Sequence, residues 1–132
     1  LARGTAGSAV GLGAGCAVFI LSLQCNLTGT WQNDLGSNMT ITVNSEGKFN
    51  GSYHTAVSAN TSHIKVSPLQ GFQHNPKAQP TFGFTVNWTF SDSTTVFTGQ
   101  CFVDDKDKEW LKTMWLLRQR AKSLHDDWKA TR

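Results

Sequence analysis

Residues 81–90, TFGFTVNWTF, alternate without interruption: Phe82, Phe84, Val86, Trp88 and Phe90 fall on one face and Thr81, Gly83, Thr85, Asn87 and Thr89 on the other. Ten residues at period two specify a β-strand with one face in a core. Four aromatics on one face exceed what a half-buried strand needs, and Trp88 and Phe90 sit together at one end. The same alternation recurs in shorter runs between turn signals. Strands are expected near 29–33, at 39–43 (MTITV), 48–57 (KFNGSYHTAV), 94–103 (TTVFTGQCFV) and 111–119 (LKTMWLLRQ), with turns at DLGSN, NSEG, SDS and DDKDKE. SHIKVSPLQGF is a weaker strand, expected to be bent or at an edge because Pro68 lacks a donor. KSLHDDWKATR reads as a turn or short helical piece. Seven consecutive strands joined by short turns define an all-β, up-and-down antiparallel meander.

Antiparallel order sets the end of the fifth strand beside the start of the sixth. Trp88, Phe90, Thr95 and Phe97 then meet at one mouth of a barrel, where an aromatic lining with a few hydroxyls suits one small ligand. The competing expectation is an aromatic core with no ligand. On the seventh strand Met114 and Leu116 alternate with inward Thr113, Trp115 and Leu117. A strand apolar on both faces is covered on both sides, and a second subunit is the expected cover, with Val96 and Phe102 adding to the outer patch.

The first 24 residues differ in kind. They carry one charge, Arg3, followed by a small and apolar run over 9–23, the layout of a secretory signal peptide and short for a membrane span. Of three cysteines, Cys16 lies in that segment. Cys25 and Cys101 remain, either as a bridge or as two unlinked buried thiols. A bridge would close a loop of about 75 residues, stabilising by about 4 kcal/mol in the chain-entropy account. Five Asn-x-Ser/Thr sequons, at Asn26, Asn38, Asn50, Asn60 and Asn87, agree with export.

Several function classes are disfavoured. A net charge of +3 with no Lys/Arg cluster does not suit nucleic acid. The four histidines lack metal-ligand spacing, and DDKDKE lacks the register of a calcium loop. No Gly-x-Ser-x-Gly or His-Glu-x-x-His occurs, and nothing groups Ser, His and Asp as a catalytic set, so an enzyme is not expected.

LTGTWQNDLGSNMTI, TFGFTVNWTFSDSTTVFTGQCF, LKTMWLL and DDWKATR resemble the avidin family of biotin-binding proteins, and the resemblance covers 25–132 nearly continuously. It implies an eight-stranded barrel, a secreted homotetramer and one biotin per barrel as ligand, with no cofactor, nucleic acid or membrane partner. Position by position, Asn33, Ser37 and Tyr53 match the donors to the ureido oxygen, and Thr55 matches an acceptor for a ureido N–H. Thr95 matches the donor to the thioether sulfur. Trp88, Phe90, Phe97 and Trp115 match the aromatic box, flanked by Leu35 and Leu117. Val57, Ser58, Ala59, Asn60, Ser91 and Ser93 match the residues around the valeryl chain and its carboxylate. Trp128 matches a residue that reaches into a neighbouring subunit's pocket. Cys25 and Cys101 match the family disulfide, and Asn38 its glycosylated sequon.

Ser58 and Asn60 stand where the family pattern has Thr, the loop at 71–80 is shorter, and Trp110 replaces a small aliphatic residue. The family pattern continues beyond WKATR into an eighth strand that supplies a further ureido ligand. The expectation is therefore seven of eight strands, open edges on the first and seventh, and biotin binding weakened by incompleteness. A fold-back of residues 17–24 beside the first strand is the alternative closure. The competing functional readings are a lipocalin-like carrier of another ring ligand and a truncated, non-functional fragment.

Overall fold

The computed structural model describes residues 2–3, 24–55, 65–74 and 78–132. The strands are β1 (Ala2–Arg3), β2 (Gly29–Gln32), β3 (Asn38–Val43), β4 (Lys48–Thr55), β5 (Lys65–Gln73), β6 (Thr81–Asn87), β7 (Thr94–Val103) and β8 (Glu109–Arg118), followed by a 3-10 helix at Leu124–Lys129. All neighbours are antiparallel and the order β1 to β8 closes on itself as a barrel. The seven strands β2 to β8 are the expected meander.

Three hairpins share one local device. Asn33, Asn44 and Asp104 each accept, through the side-chain Oδ1, the backbone N–H groups two and four residues ahead, at 2.9–3.0 Å. This Asx turn is why a short polar residue opens each loop. The residue three ahead has positive φ: Gly36 at 84°, Gly47 at 82° and Asp107 at 62°. These turns set the register of β2–β3, β3–β4 and β7–β8, and DDKDKE is a hairpin of this kind.

Two strand expectations change. β5 is interior, paired to both β4 and β6. Pro68 is tolerated because the β5–β6 ladder begins only at Leu69, opposite Val86, so the missing donor falls just beyond it. β6 ends at Asn87, and Thr89 and Phe90 lie in the following turn although the alternation continues through them.

The barrel's edges are also partly occupied. Ala2 and Arg3 pair with Gln32 and Trp31 of β2, and Ala2 pairs with Trp110 of β8. At the other end of β8, Arg132 exchanges two backbone bonds with Leu117 (2.7 and 2.9 Å), and Gln119 N–H donates to Ala130 O at 2.7 Å. Unpaired N–H and C=O groups on a strand edge recruit whatever extended backbone lies alongside. The fold-back expected of 17–24 falls almost wholly outside the described residues, as does most of the signal segment assigned to 1–24.

The inward positions of β2 to β8 fill one end of the barrel. Leu27, Trp31, Met39, Ile41, Phe49, Leu69, Phe82, Phe84, Val86 and Leu111 are buried there. Trp31 Nε1 donates to Leu27 O at 2.8 Å, so its polar atom is satisfied inside the core. Cys25 and Cys101 are bridged, with a Cα–Cα distance of 5.9 Å, and are buried against this end. The bridge joins the segment before β2 to β7. Among the described residues no helix is long and apolar enough to cross a membrane.

Candidate ligand-binding pocket

Among the described residues nothing fills the opposite end of the barrel. A cavity of about 830 Å³ opens there, within the size range of small-molecule sites. Its lining includes Asn33, Leu35, Ser37, Tyr53, Thr55, Trp88, Phe90, Ser91, Ser93, Thr95, Phe97, Trp115 and Leu117. Thirteen residues singled out in the sequence thus converge on one cavity, from three of the strands (β4, β7 and β8) and from the β2–β3 and β6–β7 connections. Val57, Ser58, Ala59 and Asn60 lie outside the described residues. Trp128 is 79% exposed and does not line the cavity of its own barrel.

Cross-strand register explains the convergence. Phe97 is opposite Trp115 and Thr95 opposite Leu117 on β7–β8, while Val86 faces Thr95 and Phe84 faces Phe97 on β6–β7. Phe97 stacks on Phe84 of the filled end, with centroids 4.6 Å apart, so the cavity floor is continuous with the core. Tyr53 lies edge-on to Trp88 at 5.4 Å, and Trp88 is tilted against Phe90 at 5.5 Å. Trp115, although directed into the barrel, is 56% exposed, which shows how wide the mouth is.

The polar groups of the deep end are held by their own hydrogen bonds. Asn33 Oδ1 is fully used by the backbone N–H groups of Leu35 (3.0 Å) and Ser37 (2.9 Å). With Oδ1 so engaged, Nδ2 is the donor left to Asn33, and the side chains of Ser37 and Asn33 both act to lower the Tyr53 pKa. Burial raises the Tyr53 pKa above its ordinary value of 10.0, and the Ser37 and Asn33 hydrogen bonds only partly offset it. The phenol therefore remains a neutral donor at physiological pH. Farther round, Trp88 Nε1 donates to Thr95 Oγ1 at 2.8 Å. This leaves the buried Thr95 hydroxyl its own proton to donate. Thr55 Oγ1 donates to Lys65 O at 3.4 Å. Ser91 and Ser93 hydroxyls bond each other at the mouth.

The sequence has a single tyrosine, so an alkaline ultraviolet titration reads Tyr53 alone. The folded chain is expected to titrate above pH 10.0 and the unfolded chain near it. Because the folded pKa is the higher one, this group's contribution to stability is complete below pH ~10 and is lost as pH rises through the folded value. Tyr53→Phe is expected to flatten that alkaline loss in a series of thermal melts. A folded-state midpoint at or below the unfolded one would contradict the buried network.

Asp92, Thr113, Gln119 and Arg120 also line the cavity and were not expected. Thr113 takes the inward position that alternation along β8 gives it. Asp92 and Arg120 are 28 residues apart and meet only in the fold, at 3.3 Å, so no local signal could have paired them. Asn38 is exposed on the outer face of β3, and the outer residues Val96, Met114 and Leu116 are exposed as expected. Phe102 is half-buried, opposite Trp110. Asp104 has its pKa lowered, first by the hydrogen bond from Trp110 and then by backbone N–H groups of its own turn. Among the described residues the grouping of Cys25, Cys101 and Glu109 is no metal centre, because the two sulfurs are bonded to each other.

Comparison with known proteins agrees with this geometry. The model of the Avidin family matches residues 21–132. Avidin of Gallus gallus is 65% identical over 112 residues, covering 83% of this chain and 74% of that protein. Avidin-related protein 7 of Gallus gallus is 61% identical over 110 residues, covering 83% and 73%. Among solved structures, the biotin binding protein from chicken superposes with a TM-score of 0.75 at 59% identity, covering 83% of this chain and 90% of that one. Xenavidin gives 0.75 at 53% identity, with 83% and 92% coverage. A meander barrel bridged from Cys25 to Cys101, open at one aromatic end and this similar to avidins in sequence and structure, belongs to the avidin family.

Proposed function

We propose that this chain is a non-catalytic binder of biotin, holding one ligand in the open end of the barrel. The observation that carries the reading is the convergence of Asn33, Ser37 and Tyr53 at the deep end of an aromatic cavity. A cyclic urea presents one polarised oxygen. Donors held in place around it would stabilise it without reorganisation, because the Asx turn and burial have already oriented them. Trp88, Phe97 and Trp115 supply apolar walls for a bicyclic ring, and Thr95 offers a donor to its sulfur. The chicken relative is itself named a biotin binding protein.

Biotin is expected to change the fluorescence of Trp88 and Trp115 and to raise the melting temperature, saturating at one ligand per chain. Tyr53→Phe is expected to weaken binding by about 0.5–1.5 kcal/mol, up to roughly tenfold. Desthiobiotin, which gives Thr95 no sulfur, is expected to bind less tightly. No thermal or spectral response at millimolar biotin would overturn the reading.

The same reading extends to context. Residues 1–24 act as a secretory signal, so that the pairing of Ala2 and Arg3 with β2 and β8 belongs to the uncleaved chain; the chain is extracellular and Asn38 carries a glycan, and the Cys25–Cys101 bridge supports an oxidising compartment. Val96, Met114 and Leu116 form an exposed apolar strip on β7–β8 suited to a subunit contact in a homotetramer, with Trp128 closing a neighbouring pocket. Sequestration of biotin is the role these features suit.

A further inference from the structure

The lining of the cavity is electrically uneven. Its deep end is made of neutral donors and aromatic rings, and among the described residues the only charged lining groups are Asp92 and Arg120, together at the rim. Their ion pair is long, Nη1 to Oδ2 at 3.3 Å, and both side chains are more than 70% exposed. A surface pair of this kind contributes little and exchanges partners easily. Arg120 presents five N–H donors, and the Asp92 contact engages one nitrogen. Beside it, Lys65 Nζ stands 5.0 Å over the ring of Phe90, another lining residue. The mouth therefore carries two cations against one carboxylate, above a neutral interior.

We propose that Arg120 is a specificity-determining residue of this pocket: its guanidinium receives the anionic end of the ligand, and Asp92 holds it over the mouth as an exchangeable gatekeeper. This rests on the biotin reading and extends it to a preference for the free acid over neutral derivatives. A planar guanidinium binds a carboxylate in two-point geometry, which Lys65 cannot reproduce. Asp92 has opposed effects. It orients Arg120 when the pocket is empty, and its own charge competes with the incoming carboxylate.

The test compares biotin with biotinamide, which keeps the ring and removes the charge, by calorimetric titration of the purified full chain. The wild type is expected to favour the acid. Arg120→Gln is expected to lower the acid-to-amide affinity ratio about three- to fivefold, as for a rim ion pair. Asp92→Asn is expected to raise it, because the competing carboxylate is gone. Raising ionic strength is expected to shrink the wild-type ratio and leave that of Arg120→Gln nearly unchanged. Equal ratios in wild type and Arg120→Gln would overturn the assignment while leaving the biotin reading intact. If neither ligand binds the wild type, the biotin reading fails and the assignment falls with it.

Discussion

Replacing both Cys25 and Cys101 with alanine is expected to lower stability by about 4 kcal/mol. The two residues are 76 apart, so the bridge removes one of the largest loops the chain could close from the unfolded ensemble. Both positions are buried, and alanine adds no unsatisfied hydroxyl there. For a domain of this size, about 4 kcal/mol is a large part of the usual 5–15 kcal/mol margin. The expected fall in melting temperature is roughly 10–20 °C, read by calorimetry of the double variant against the oxidised wild type. The loss should be local in origin as well. The bridge holds the backbone whose N–H, at Cys25, donates to Ala78 O at 2.7 Å and which leads to the buried Leu27. A loss below about 1 kcal/mol would show that this segment is held by packing alone.

Gly71→Ala is expected to be as damaging, for a steric reason. A Cβ on Gly71 would lie 2.1 Å from Gly83 O, 2.6 Å from Phe84 Cβ and 2.7 Å from Phe49 Cζ. The first of these atoms is backbone of the adjacent strand, so relief requires the β5–β6 ladder to open. The others belong to the aromatic floor on which Phe97 rests. Overpacking a core usually costs about 1–3 kcal/mol, and a backbone clash puts this case at or above the top of that range. Gly83→Ala is the control. Its added Cβ would meet only Phe97 O, at 3.3 Å, and the expected change is within about 1 kcal/mol. Denaturant unfolding of the two variants compares them directly. Similar stabilities would mean that the β5–β6 register is not the one described.

Much of the pocket was legible because strand alternation and turn chemistry are local. Phe97, Thr95, Trp115 and Leu117 could be assigned inward from period two, and the strand at 94–103 has the bounds read from the sequence. Asn33 could be read as a turn residue, and by resemblance as a ligand donor. That one side chain serves both ends required the fold, since the turn's capture of Oδ1 leaves Nδ2 as the donor Asn33 can offer to the cavity it lines. Pro68 misled because a missing donor argues for an edge unless the ladder stops beside it. Phe90 was read as strand because alternation persists into the turn, yet it still reaches the mouth. Asp92 and Arg120 carried no signal, being a charged turn residue and a charged loop residue until the barrel brought them together.

By itself the sequence determined which face of each strand is apolar, where the chain turns, and that Cys25 and Cys101 could pair. Those properties depend on neighbours within a few residues, or on cysteine count. Antiparallel order already put Trp88, Phe90 and Phe97 at one mouth; only the tertiary structure decided that Phe82 and Phe84 became filled core rather than further lining. Phe82 and Phe84 share a strand face with Val86 and Trp88, and period two says nothing about height along the barrel. Height is set by register, through the three Asx turns and the ladder partners they impose. That register stacks Phe49, Phe82 and Phe84 into a filled end over the disulfide. It leaves Tyr53, Trp88 and Trp115 around an open one. The edges were likewise a tertiary decision: β8 takes its partners from residues 2 and 130–132, because unpaired backbone groups pair with the strand that geometry brings within reach.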